Sequence, residues 1–229
     1  MLEQVCVNTC SHPLGFAMQH FIAKTHQTLR AVCVLQKAEV WESAQAMARI
    51  LFETEINALY FIRMYDDDSS ATLERYLDSI ILKEHELIMS QTDDDMAATQ
   101  IQKANARIRA KYSQTTFNAL LHHGFSGKSM WKKAVALGQE HMYKLVYVDY
   151  SRNIHALDHL ELLSSRNPEA EDIKILTERN IRSAFVSISS ATAVLDISNS
   201  RLSCGFERDI AILMLALDEI PIPRLAKND

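Results

Sequence analysis

Only five glycines and four prolines interrupt a chain of 229 residues. Tight turns draw on these two residue types, because glycine reaches positive φ without strain and proline presets the turn angle. So small a supply cannot serve the many turns of a β-sandwich or barrel. Phosphate-cradling loops are disfavoured for the same reason. Neither GxGxxG nor GxxxxGK[ST] occurs, and the nearest glycine pair, Gly124 and Gly127, is followed by Lys128 without the rest of the pattern. With 48% hydrophobic residues, the chain buries enough surface to offset its conformational entropy, which excludes disorder. The expected fold is all-α, a single-domain helical bundle of about six to eight helices covering residues 1–229.

Helical periodicity places the elements. Residues 1–12 read as irregular, followed by helices over about 14–36, 38–65, 71–89 and 96–112. The run Asp66-Asp67-Asp68-Ser69-Ser70 closes the second helix and supplies cap chemistry for the third, as Asp93-Asp94-Asp95 does for the fourth. Residues 113–129 read as a loop with a single helical turn, and short and long helices follow over about 130–137 and 140–163. Asn167-Pro168-Glu169 starts a helix that runs to about 199: Asn caps, Pro takes the first position and the acid faces the dipole. Gly205 breaks the chain before a packing helix over 206–219, which Pro221 and Pro223 end. The bundle is expected around 14–36, 38–65, 140–163 and 168–199. Ile210, Leu213, Met214 and Leu217 offer a further packing face, which either closes the core or makes a homodimer, the oligomer expected here.

A formal net charge of −5 argues against a general nucleic-acid-binding surface, though a small basic site fits within it. The apolar run Ile210 to Leu217 is far shorter than a spanning helix, so no membrane role is expected. The opening Met1-Leu2-Glu3-Gln4 lacks the basic region of a secretory signal. Four cysteines in a chain this long do not make a disulfide framework, and a cytoplasmic protein with reduced thiols is expected. Cys6-x3-Cys10 with His12 invites a zinc reading, but no second Cys/His pair stands at matching spacing. His122-His123 could contribute, but nothing in the sequence ties it to these cysteines; Glu-x-x-His is absent, and neither a metal nor another cofactor is expected.

Three helical stripes carry the remaining polar information. Lys103, Arg107 and Lys111 fall one turn apart, where a base-rich helix end satisfies the macrodipole and a solvated face needs no ligand. Gln45, Arg49, Glu53 and Asn57 stack along the second helix and continue into Tyr60 and Met64. On the residues alone this is a solvated stripe; inside a bundle it would be a buried Arg–Glu pair, costly unless fully bonded and for that reason suggestive of a site. In the helix over 140–163, Ser151, Arg152, His155 and His159 cluster opposite an apolar face of Met142, Val146, Tyr150, Ile154, Leu157 and Leu160. Ala156 stands where a metalloprotease helix carries its glutamate, which lowers the metal reading of the two histidines.

Arg152 and His159, with Asn153 after the arginine, resemble the Arg-x4–6-His motif of the HEPN (higher eukaryotes and prokaryotes nucleotide-binding) helical ribonucleases. That likeness implies metal-independent RNA cleavage in a defence or toxin system, with two motif copies meeting across a dimer. Histidines 155 and 159 would move protons and Arg152 would stabilise charge on the phosphate. A longer ordered series resembles a bacterial helical family of uncharacterised proteins, domain of unknown function 5677. It comprises Arg49-x3-Glu53, Tyr60, Glu74-Arg75-Tyr76-Leu77, Trp131-Lys132-Lys133-Ala134-x3-Gly138, Tyr143, Tyr147 and Tyr150-Ser151-x3-His155-Ala156. This similarity covers about 31–163, leaving 113–129 unmatched. It implies that Arg49, Glu53, Ser151 and His155 form a polar cluster between two helices, and it shifts emphasis from His159 to His155.

Three functions fit these residues. One is an RNA-cleaving or nucleotide-binding protein with Arg152, His155 and His159 as its catalytic set. The second is a non-catalytic interaction protein whose cluster only fixes helix docking. The third is a small-ligand binder, its pocket between helices 38–65 and 140–163 lined by Arg49, Glu53, Ser151 and Tyr147.

Overall fold

A computed structural model describes residues 13–91, 94–148, 170–205 and 207–218. Every regular element among them is helical: α1 Pro13–Lys37, α2 Trp41–Asp67, α3 Ser69–Gln91, α4 Asp95–Ala110, α5 Gln114–His123, a 3-10 turn Gly124–Ser126, α6 Met130–Ala136, the single turn α7 Glu140–Met142, a π-helical segment Tyr143–Val148, α8 Ala170–Leu202 and α9 Glu207–Asp218. The all-α expectation therefore holds. None of the helices among the described residues is long and apolar enough to cross a membrane. The chain divides into two compact units, one of residues 1–59 with 137–229 and one of residues 60–136.

In the first unit, α1 buries Leu14, Met18, Ile22, Thr25, Thr28 and Val32, a spacing of threes and fours that makes one continuous stripe. The long helix α8 packs against α1 and α9. Its buried face is small and hydroxylated, with Ser183, Ser187, Ser190, Ala191, Val194 and Ser198 inside. Most of these hydroxyls bond within their own helix: Ser187 donates to the Ser183 carbonyl at 2.7 Å and Ser198 to that of Val194 at 2.6 Å. A helix that satisfies its own polar groups in this way can bury serines without outside partners. From α1, Gln36 donates to Ser183 Oγ at 3.0 Å. Ile210 and Leu217 of α9 are buried, so part of that helix's apolar face closes the core.

The second unit is centred on three rings. Phe61, Tyr76 and Phe125 meet edge to face with centroids 5.0 to 5.7 Å apart, the geometry that aromatic quadrupoles favour. Below them Leu82, Ile108 and Phe117 make an apolar cluster with Tyr112 against it. The acidic caps act as the sequence indicates. Asp68 Oδ1 accepts from Ala71 N at 3.0 Å at the start of α3, and Asp94 Oδ1 from Met96 N at 2.8 Å at the start of α4. The guanidinium of Arg63 donates to the Ala136 carbonyl at the end of α6.

Three expectations on element boundaries are corrected. Residues 113–129 are not mainly loop, because α5 and the 3-10 turn occupy most of them. Ser113 caps α5 by accepting from Thr116 N at 3.2 Å, and Phe117 and Leu120, three apart, are buried on its one apolar face. A helix this short repeats its apolar period too few times to stand out in sequence. The second helix begins at Trp41 rather than near 38, since Glu39 takes φ +59 and ends the first helix. The segment from Glu140 is not continuous α-helix: after α7 it widens into the π-helical segment, and what lies beyond Val148 falls outside the described residues until α8.

Candidate functional site

The stripe on α2 is where the first unit gathers its polar chemistry. Gln45 is buried, and Arg49, Glu53 and Asn57 are half-buried, so this is not the solvated stripe that the residues alone suggest. The reason is neighbourhood rather than composition, because the π-helical segment supplies two tyrosines against it. Arg49 Nε donates to Glu53 Oε1 at 2.9 Å, with side chains 14% and 28% exposed. The Arg49 guanidinium carbon lies 4.0 Å from the centre of the Tyr147 ring, a cation–π contact. Tyr147 in turn stacks on Tyr143, centroids 4.5 Å apart and planes 13° from parallel. Residues four apart stand nearly above one another in a wide helical turn, and this stacking uses that geometry. Burial first, and then the neighbouring Tyr147, raises the Tyr143 hydroxyl above the ordinary phenol value. The Tyr143 hydroxyl is therefore a neutral hydrogen-bonding group near pH 7.

Of the residues expected at this site, the structure brings Arg49, Glu53 and Tyr147 together. Ser151, Arg152, His155 and His159 lie outside the described residues, as do Cys6, Cys10 and His12. The Lys103, Arg107 and Lys111 stripe does not act as a unit. Lys103 and Arg107 are exposed, while Lys111 pairs with Glu74 Oε1 at 2.9 Å and Asp78 Oδ2 at 3.0 Å. The bond that Lys111 donates to Glu74, then that to Asp78, raises the Lys111 pKa, which ties this cation to structure. His122 and His123 are exposed side by side, and among the described residues no group of three or more His, Cys, Asp or Glu could hold a metal ion. Cys33 and Cys204 are free thiols.

Sequence reasoning missed Glu55. Only 8% exposed, it accepts from Ser190 Oγ at 2.7 Å, and Gln139 Nε2 stands 3.5 Å from its other oxygen. Ser190 is thus the buried serine of α8 that directs its hydroxyl to another helix. Burial raises the Glu55 pKa above the usual carboxylate value, and the Ser190 bond only partly offsets this. The signal was available: Glu55 stands four residues after Leu51 and three before Ala58, inside the apolar stripe. An acid at a core register position marks either a satisfied polar contact or a chemical group.

No curated protein and no solved structure matches the chain. Residues 16–171 match the family described as a family of unknown function, DUF5677. The match begins earlier and ends later than the span over which the motifs could be read, and it includes residues 113–129. It covers well over half of the sequence, and the chain belongs to the family of unknown function DUF5677.

Proposed function

We propose that the protein binds a small ligand that presents a carboxylate or phosphate to Arg49 and a flat apolar surface to the outer face of Tyr143. One observation carries this reading. The largely buried guanidinium uses Nε on Glu53 and its face on Tyr147, and no other partner among the described residues takes its terminal nitrogens. A guanidinium has five donors, and those on the two terminal nitrogens stay free for water or a ligand. A bidentate oxyanion fits the open edge, and the fork geometry suits it better than any lysine would. Ser151 and His155, read from the sequence, are further members of the site in this proposal. RNA cleavage by Arg152, His155 and His159 has no support from the described geometry and enters as an outcome of the test.

The probes are benzoate and inorganic phosphate, titrated against wild type, Arg49→Lys and His155→Ala, with tyrosine fluorescence and thermal unfolding as readouts. Benzoate is expected to bind wild type and to weaken at least about tenfold in Arg49→Lys, in which the fork is lost. No binding of either probe by wild type overturns this reading, and a loss of thermal stability in Arg49→Lys then assigns the cluster a structural role. Metal-independent cleavage of total RNA by wild type but not by His155→Ala would replace this reading with the ribonuclease one.

A further inference from the structure

The last two helices hold a cleft that takes no part in the arrangement around Arg49. A short connection joins α8 to α9, and the two pack on each other, so they form a helical hairpin in which the chain reverses direction. A cavity of about 670 Å³ lies between them, within the size range of small-ligand sites. Its walls are mostly apolar: Phe185 and Ala193 from α8, and Ile210, Met214 and Leu217 from α9. Thr192 also lines it, but its hydroxyl donates to the Ile188 carbonyl at 2.8 Å and adds little polarity.

Against this floor stand two carboxylates, Asp196 on α8 and Asp218 at the end of α9. Neither has a hydrogen-bond or ion-pair partner among the described residues. Counted from the turn of the hairpin at 1.5 Å per residue, they lie about 7 Å apart along its axis, and the wall from Phe185 to Asp196 is about 16 Å long. The cleft therefore offers negative charge at two levels with an apolar surface alongside. A compact metal ion makes no use of the apolar walls, a neutral apolar molecule makes none of the two carboxylates, and an anion is repelled. Charge complementarity and length together select an extended cation with an apolar body.

We propose that this cleft binds a linear aliphatic polyamine, its methylene chain on the apolar floor and its ammonium groups paired with Asp196 and Asp218. The two acids act as separate anchors and the floor sets the requirement for a chain between them. The site is independent of Arg49, so its test and that of the oxyanion site fail separately.

The experiment is calorimetric titration of the full chain with spermidine at about 0.15 M salt, where diffuse charge attraction is largely screened. Saturable binding to one site is expected, weakened at least about tenfold by Asp196→Asn and by Asp218→Asn, both exposed positions. Ala193→Trp, which fills the floor and keeps both carboxylates, is expected to abolish binding, and Arg49→Lys to leave it unchanged. Circular dichroism of each variant establishes that it is folded, and the two isosteric Asn variants decide the outcome if the tryptophan disturbs packing. Absence of spermidine binding by wild type overturns the proposal. So does binding that survives both Asn substitutions, or displacement of spermidine by an equal concentration of magnesium ion.

Discussion

The carboxyl of Glu55 holds its proton more tightly in the folded chain than in the unfolded one, because burial disfavours its charge and the Ser190 hydroxyl only partly compensates. The consequence for stability has a definite sign. Below the ordinary carboxylate value near 4.5 both states are protonated, and the group imposes no penalty. As pH rises, the unfolded chain ionises first while the folded one keeps its proton, so stability falls through the raised folded pKa. Urea unfolding measured from pH 4.5 to 8 should therefore show a slope that Glu55→Gln removes, with the variant more stable than wild type at the alkaline end. An unchanged slope in Glu55→Gln would assign the pH dependence to another group. Glu55 was legible in principle, since its register position is apolar. Arg49 and Glu53 were not, because spacing alone cannot say what packs against a polar stripe. That took the family resemblance, and then Tyr147 on the guanidinium.

At the scale of elements, the joints between helices follow rules that leave only weak marks in composition. Between α1 and α2, Val40 N donates to Leu35 O at 2.9 Å and Glu39 N to Gln36 O at 3.2 Å, the paired bonds that close a helix with a left-handed residue. Glycine ordinarily takes that position, and here Glu39 stands in it at φ +59. Glu39→Gly should accordingly raise the free energy of unfolding by about 1 kcal/mol, measured by denaturant titration, despite the greater entropy of the unfolded glycine chain. A loss of stability would mean that the Glu39 side chain itself contributes. The missing glycine also explains why the sequence reading began the second helix too early: nothing at 38–40 announces a turn. The reverse holds at α5, where Gly124, Gly127 and a histidine pair announce a loop, yet Ser113, Phe117 and Leu120 suffice for a capped helix. Gly124 and Gly127, at φ +70 and +61, end that helix and the turn after it rather than dissolving them.

For the whole molecule, the scarcity of glycine and proline points away from sheets, and no strand occurs among the described residues; the long helices could be read because they repeat their apolar period many times. What composition could not convey is how contacts group the helices. The residues on either side of 60–136 in the chain form one compact unit and that stretch forms another. The second has its own internal tie in Asp78, buried on α3, which accepts from Lys111 Nζ at 3.0 Å and from the Tyr112 hydroxyl at 2.8 Å. Asp78→Ala removes the acceptor and leaves that hydroxyl and ammonium without it, a loss of about 2–3 kcal/mol. Hydrogen exchange followed by mass spectrometry should register that loss as faster exchange across 60–136, with α1 and α8 amides keeping their protection. Equal loss of protection in both units would show that they unfold as one.

The widened turn at Tyr143–Val148 amounts to one residue spliced into a helical count. In an ordinary helix each residue advances the direction by about 100°, so a helical wheel drawn from Met142 carries a phase error of that size once it crosses the turn. Deleting one residue there would restore the uninterrupted phase and turn Tyr147 away from Arg49, with the aromatic cover of the guanidinium lost although no side chain of the site is changed.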